Sequence, residues 1–249
     1  MLLLFPLLLA SASVPAEFPA MRAAICDKAE QFTADGCSVC PVYTHAVEGR
    51  PARELSFDHF VEGSFTGSGK TEVLLSSQSC YDHASGFGSA ILLRKENGKW
   101  SRVAFFHGGD MELGGGSCKK IPGATHEKDL LVCGYADWGG GGVFVIGFDG
   151  EGHTRKQKLL DQWMIPFRET AKPKLCSSVD ADITEVTRKS VELRVHHYSY
   201  RPGEDDPDCE LGSSIAADKA LFLRRGDQFV PDAATKQLLD KIGPYPDRQ

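Results

Sequence analysis

The chain has 249 residues, of which 41% are hydrophobic and 25% charged, with a formal charge of −6. That length suits one large β domain or two small ones, and the composition is that of an ordinary globular chain. The acidic balance argues against non-specific capture of nucleic acid or of an anionic membrane surface.

Residues 1–16 read as an export signal. Leu2 to Leu9 is an apolar run too short to span a bilayer as a helix, and Ala10-Ser11-Ala12 and Val14-Pro15-Ala16 offer small residues for cleavage. No Lys or Arg precedes the run, which leaves room for a start upstream of Met1. No other stretch is long and apolar enough to cross a membrane, so no membrane span is expected. Eight cysteines, Cys26, Cys37, Cys40, Cys80, Cys118, Cys133, Cys176 and Cys209, agree with export and are expected to form disulfides whose pairing the sequence leaves open.

Residues 17–54 form a Cys-containing N-terminal segment. Ala20 to Phe32 has helical spacing, with Met21, Ala24, Ile25, Ala29 and Phe32 on one face and Asp35-Gly36 as the stop. Cys37-Ser38-Val39-Cys40 is a C-x-x-C pair. A thiol oxidoreductase site is one reading of it, but no thioredoxin-like βαβ pattern surrounds it, and structural disulfides are the preferred reading.

Residues 55–232 read as repeated β units, at about 61–109, 118–163 and 176–231. Each shows strand, loop and hairpin. The first has Glu72-Val73-Leu74-Leu75, then Ala90 to Leu93, the turn Glu96-Asn97-Gly98-Lys99 and Trp100 to Phe106. The second has Asp129 to Cys133, a Gly-rich loop from Trp138 to Gly142, Val143 to Ile146 and a turn at Asp149-Gly150. The third has Ser190 to Val195, a long loop, Ala220 to Leu223 and the turn Arg225-Gly226-Asp227. Residues 233–249 are a C-terminal helix and tail: Asp232 is the N-cap, Leu238, Leu239 and Ile242 share a face, and Gly243-Pro244 stops the helix.

Ser64 to Thr71 resembles a phosphate-binding loop with Ser64 in place of the first Gly, but a β-like run follows where a helix is required. The stretch Phe65-Thr66-Gly67-Ser68-Gly69-Lys70-Thr71-Glu72-Val73-Leu74-Leu75 instead resembles the FG-GAP or VCBS repeat of extracellular β-propellers, over some fifteen residues. The resemblance implies an all-β, propeller-like fold with short terminal helices, and a turn that binds calcium through Ser64, Thr66, Ser68 and Glu72. Only one of these four is a carboxylate, so no tight calcium site and no cofactor is expected. Three units are fewer than the 4–8 blades that usually close a propeller, and an open, sandwich-like stack locked by disulfides is the alternative.

Several loops carry residues suited to chemistry. Asp82 and His83 follow the first core strand, and His107 and Asp110 follow the first hairpin. On a common rim these four could bind a metal or move protons, although their spacing is not that of a zinc site. Tyr81 and Trp138 are candidate binding residues; Trp138, beside Gly139 to Gly142, reads equally as a stacking platform for sugar and as a turn whose Trp is tucked into the core. His126-Glu127 lacks the second His of a zinc protease motif, and His196 and His197 alternate to opposite faces of a strand. Glu204, Asp205, Asp206, Asp208 and Glu210 read as a solvated acidic loop. The expected role is binding or scaffolding, secreted or periplasmic, with an extracytoplasmic protein or glycan as partner. The alternatives are an exported hydrolase or metal-dependent enzyme using the loop Asp and His residues, and a thiol oxidoreductase using Cys37 and Cys40.

Overall fold

A computed structural model describes residues 15–42, 54–77, 89–106, 113, 117–137, 140–164, 176–200 and 216–242. The described chain is mostly β. The first sheet has five strands in the order β1 (Gly36–Cys37), β2 (Leu55–Gly63), β3 (Thr71–Ser77), β4 (Ser89–Glu96) and β5 (Lys99–Phe106), each antiparallel to the next. The second has eight: β6 (Ser117–Ile121), β7 (Leu130–Asp137), β8 (Gly140–Phe148), β9 (Thr154–Met164), β10 (Cys176–Val186), β11 (Ser190–Tyr200), β12 (Ala216–Arg225) and β13 (Gln228–Pro231). Among the described residues the strand pairing between its halves, β6–β9 and β10–β13, is confined to Ser178–Met164 and Val179–Trp163.

Side-chain alternation sorts the apolar residues into three cores. On β3 and β4, Val73, Leu75, Ile91 and Leu93 face the N-terminal segment, where Phe18, Met21, Ile25 and the Cys26 and Cys37 side chains cover them. The alternate residues Leu74, Ala90 and Leu92 face the other way, onto Leu131, Cys133, Ile146 and Phe148 of the next half-sheet. The far side of that half-sheet, through Val132, Val143 and Val145, packs on Val179, Ile183, Val191, Leu193, Val195 and Phe222. A strand apolar on both faces reads as a continuous run, which is why Val73-Leu74-Leu75 does not alternate.

The last half-sheet is apolar on one face only. On its outer face Asp182 is opposite Arg194, and Glu192 pairs with Lys219. Alternation on β10, with Val179, Ala181 and Ile183 buried and Asp180 and Asp182 exposed, is the pattern of a strand with one wet face. One helix closes the described chain, α2 at Ala233–Ile242, after the short N-terminal α1 at Arg22–Ile25. Asp232 caps α2 by accepting the Thr235 N–H at 2.7 Å, and Leu238, Leu239 and Ile242 pack on the third core. Thr235 Oγ1 accepts the Leu221 N–H at 2.6 Å, which fixes the helix to β12.

The N-terminal helix is shorter than its spacing predicts. A 3-10 turn at Phe18–Met21 leads into α1, Cys26 is extended, and a second 3-10 turn follows at Ala29–Gln31. The cause is cross-linking: Cys26 is bonded to Cys37, and the Asp27 carboxylate accepts the Val42 N–H at 2.7 Å. Met21, Ala24 and Ile25 are buried as expected, but Ala29 is exposed and Phe32 reaches Phe18 from outside any helix, with ring centroids 5.1 Å apart. Among the described residues no helix is long and apolar enough to cross a membrane.

Candidate functional site

Antiparallel order gives the stack two unlike ends. One end carries short connections: 64–70, 97–98, 122–129, 149–153, 187–189 and 226–227. Two contacts show that the first two sheets share this end. Ser64 and Asp129 exchange bonds, the Ser64 N–H to the Asp129 carboxylate and the Asp129 N–H to Ser64 O, both at 2.9 Å. Arg94 reaches Gly150 O at 3.4 Å. The opposite end holds the strand termini Ser77, Ser89, Phe106, Ser117, Asp137 and Gly140.

Tyr81, Asp82, His83, His107, Asp110 and Trp138 are outside the described residues, as is the acidic loop at 204–210. The strands that flank the first six end together. Ser77 pairs with Ser89 and Ala90 with Phe106, and Ser76 Oγ donates to Leu113 O at 2.7 Å. Leu113, which lies between β5 and β6 in sequence, is fully buried.

The cysteines divide into observed bonds and undescribed ones. Cys26–Cys37 and Cys118–Cys133 are disulfides, and no described cysteine is free. Cys40 is disulfide-bonded as well. Cys80 and Cys209 are outside the described residues, as is the side chain of Cys176. Because Cys37 is joined to Cys26, Cys37 and Cys40 are not bonded to each other. This corrects the C-x-x-C redox reading, which requires those two sulfurs to exchange one bond.

The short-turn end is built around two carboxylates. Glu72, buried at the start of β3, accepts the N–H groups of Phe65 at 2.7 Å and Thr66 at 2.8 Å on Oε2. Its Oε1 accepts Thr66 Oγ1 at 2.5 Å and Arg94 Nε at 2.8 Å. Asp129 accepts Ser64 N–H on one oxygen and Gly123 N–H, at 2.8 Å, on the other. Ser64 Oγ donates to Lys70 O at 2.6 Å, closing the turn from within. Of the positions expected to hold calcium, the single carboxylate is thus fully engaged by main-chain, hydroxyl and guanidinium donors. The residues present do not fit a calcium ion, and among the described residues no group of three or more His, Cys, Asp or Glu could hold a metal.

A second turn of the same spacing lies beside the first. Phe148-Asp149-Gly150-Glu151-Gly152 repeats the Phe-x-Gly-x-Gly of Phe65 to Gly69, and Phe65 and Phe148 are fully buried with centroids 6.0 Å apart. Gly69 and Gly152 both take positive φ, 72° and 92°, which a side chain would resist. Asp149 Oδ1 accepts the N–H groups of Glu151 and His153, both at 2.9 Å, and Oδ2 bonds His153 Nδ1 at 2.9 Å. The His153 bond is the main cause that pulls the Asp149 carboxyl down to about 2, and Asp149 in turn raises the His153 imidazole. Sequence reading marked the turn at Asp149-Gly150 but missed the shared spacing, as it missed Arg94 and Asp129. The signal for the first was a direct comparison of residues 65–69 with 148–152.

His126 lies in the turn before β7 with φ of 73°, so His126-Glu127 is not on a helix. On β11, His196 bonds Asp182 across the strands at 3.3 Å. No family model, no curated protein and no solved structure matches this chain.

Proposed function

We propose that this is an exported, disulfide-stabilised β-repeat protein that binds or scaffolds an extracytoplasmic protein or glycan, built from three propeller-like units stacked face to face. The observation that carries this reading is the division of labour between the two ends. The short-turn end is locked by the buried Glu72 and the half-buried Asp129 carboxylates, while in sequence the strand termini at the other end flank Tyr81, Asp82, His83, His107, Asp110 and Trp138. Binding residues are disproportionately found on connections held by such a rigid scaffold. Two disulfides among the described residues are compatible with an oxidising compartment.

The test has two parts. The full chain, expressed in an exporting host, is located by fractionation and its thiols are counted under denaturing conditions. Recovery outside the cytoplasm without free thiols is expected; a cytoplasmic chain with eight thiols overturns the reading. The exported chain is then probed on a glycan array and a panel of extracellular proteins. Alanine at Tyr81 and Trp138 is expected to abolish the signal, and alanine at Lys99 and Asp227, at the short-turn end, to leave it.

A second reading, a metal-dependent exported enzyme, rests on the order of the chain: Asp82 and His83 follow β3, and His107 and Asp110 follow β5. Metal analysis of the purified chain separates the two. Stoichiometric zinc that is lost in His83→Ala or His107→Ala would establish the enzyme reading over the binding one.

A further inference from the structure

Glu72 and Arg94 are direct cross-strand partners on β3 and β4. The Glu72 side chain is 0% exposed and that of Arg94 17%. A carboxylate so placed needs a counter-charge, because an unpaired ion in a dry interior is far costlier than a paired one. Arg94 supplies it, and the rest of its guanidinium is ringed by oxygen. Nε donates to Glu72 Oε1 at 2.8 Å, Nη2 to Thr66 Oγ1 at 2.5 Å and to Gly150 O at 3.4 Å, and Nη1 lies 3.7 Å from Glu96 Oε1. Two carboxylates, a hydroxyl and a main-chain carbonyl are the donor types that surround a hard divalent cation.

We propose that the Arg94 guanidinium is a resident substitute for a divalent cation at the junction of the first two sheets. It neutralises Glu72, ties the turn at 64–70 to the turn at 149–153 through Thr66 and Gly150, and makes that junction independent of metal supply. Arginine is suited to this: it stays charged at every accessible pH, and its planar fork serves several acceptors at once. The site is therefore closed to calcium in the native chain and opens to it when the guanidinium is removed. The oxygens of Glu72, Thr66, Gly150 and Glu96 then form a shell without a centre.

The experiment is thermal unfolding of the full chain, with disulfides intact, in excess EDTA and in about 10 mM CaCl2, a concentration that saturates weak extracellular calcium sites. The native chain is expected to unfold at the same temperature in both, within about 1 °C. Arg94→Ala is expected to lose about 10 °C in EDTA, as removal of one member of a buried pair does, and to regain about half of it in calcium but not in NaCl of equal ionic strength. The double variant Glu72→Gln with Arg94→Met, which removes both charges, is expected to ignore calcium. If Arg94→Ala does not fold in EDTA, the yield of folded chain recovered with and without calcium is the readout. A native chain stabilised by calcium as much as the variant overturns the proposal, and so does an Arg94→Ala chain indifferent to calcium in both melting and yield.

Discussion

The side-chain amide of Gln157 satisfies both main-chain polar groups of Phe229: Nε2 donates to Phe229 O at 2.5 Å, and Oε1 accepts the Phe229 N–H at 2.9 Å. Gln157 is on β9 and Phe229 on β13, the far edge of the last half-sheet. At its other end β9 pairs through main-chain bonds with β10, the opposite edge. One strand thus touches both edges of the half-sheet it faces, and a glutamine stands in for a missing stretch of ladder. Gln157→Ala is predicted to cost about 2 kcal/mol, since it leaves a partly buried N–H and C=O unpaired, and to lower Tm by about 4–8 °C. Gln157→Glu keeps the acceptor but sets a carboxylate oxygen against Phe229 O, so its loss by the same melt should be no smaller than that of the alanine variant.

The junction of the first two sheets depends on a residue without a side chain. A Cβ on Gly63 would lie 2.6 Å from the Phe65 ring and 2.9 Å from Asp129 Oδ2. Gly63→Ala must therefore move either a fully buried ring or the carboxylate that holds Ser64 and Gly123. The predicted loss is about 1–3 kcal/mol, read as a lower denaturation midpoint in urea with an unchanged slope. Asp129→Asn keeps an acceptor but loses the charge, and is predicted to fall between the native chain and Gly63→Ala.

The Asp149–His153 pair gives a pH dependence whose sign is fixed. His153 is raised by Asp149, so the pair is complete below the ordinary histidine value near 6.5 and is lost as pH rises through the higher folded value. Asp149 is lowered to about 2, so its contribution is present above the ordinary carboxylate range and is lost as pH falls toward 2. Titration of the His153 ring protons by NMR should give a midpoint above 6.5, and Asp149→Asn should return it toward that value. A native midpoint at or below the ordinary value would refute the bond.

Peptide mapping without reduction is predicted to yield Cys26 joined to Cys37 and Cys118 joined to Cys133. These bonds close loops of 11 and 15 residues, each stabilising by about 3 kcal/mol through restriction of the unfolded chain. The paired serine variant at Cys26 and Cys37 should also expose the core under Phe18, read as dye binding to apolar surface. The variant at Cys118 and Cys133, which staples the edge strand β6 to β7, should instead be seen as faster hydrogen exchange in β6.

Much of the β architecture was legible because its signals are local. Asn97-Gly98 marks the β4–β5 hairpin and takes positive φ at both residues, 51° and 76°, as that turn requires. Asp232 and the Leu238-Leu239-Ile242 face specify α2 within one segment. The first helix was misjudged because Met21, Ala24 and Ile25 have helical spacing, while the force that ends the helix is a bond to Cys37, remote in sequence. β10 was overlooked although Val179, Ala181 and Ile183 alternate with Asp180 and Asp182, because polar-rich strands resemble loops in composition. At the short-turn end, Glu72 was visible as a lone acid in a glycine turn. Its partner Arg94 was not, since only strand pairing brings the two together, and the same holds for Ser64 and Asp129.

The first sheet is apolar on both sides, and the surface that covers Leu74, Ala90 and Leu92 belongs to residues from Leu131 to Phe148. During synthesis those later residues follow well after Phe106. The nascent chain therefore exposes a bare oily plane for the interval between the two, with the N-terminal segment able to shield only the reverse side. Any pause in that interval offers the plane to another copy or to a chaperone, so codon choice and holdase supply between Phe106 and Phe148 should govern how much protein is recovered intact.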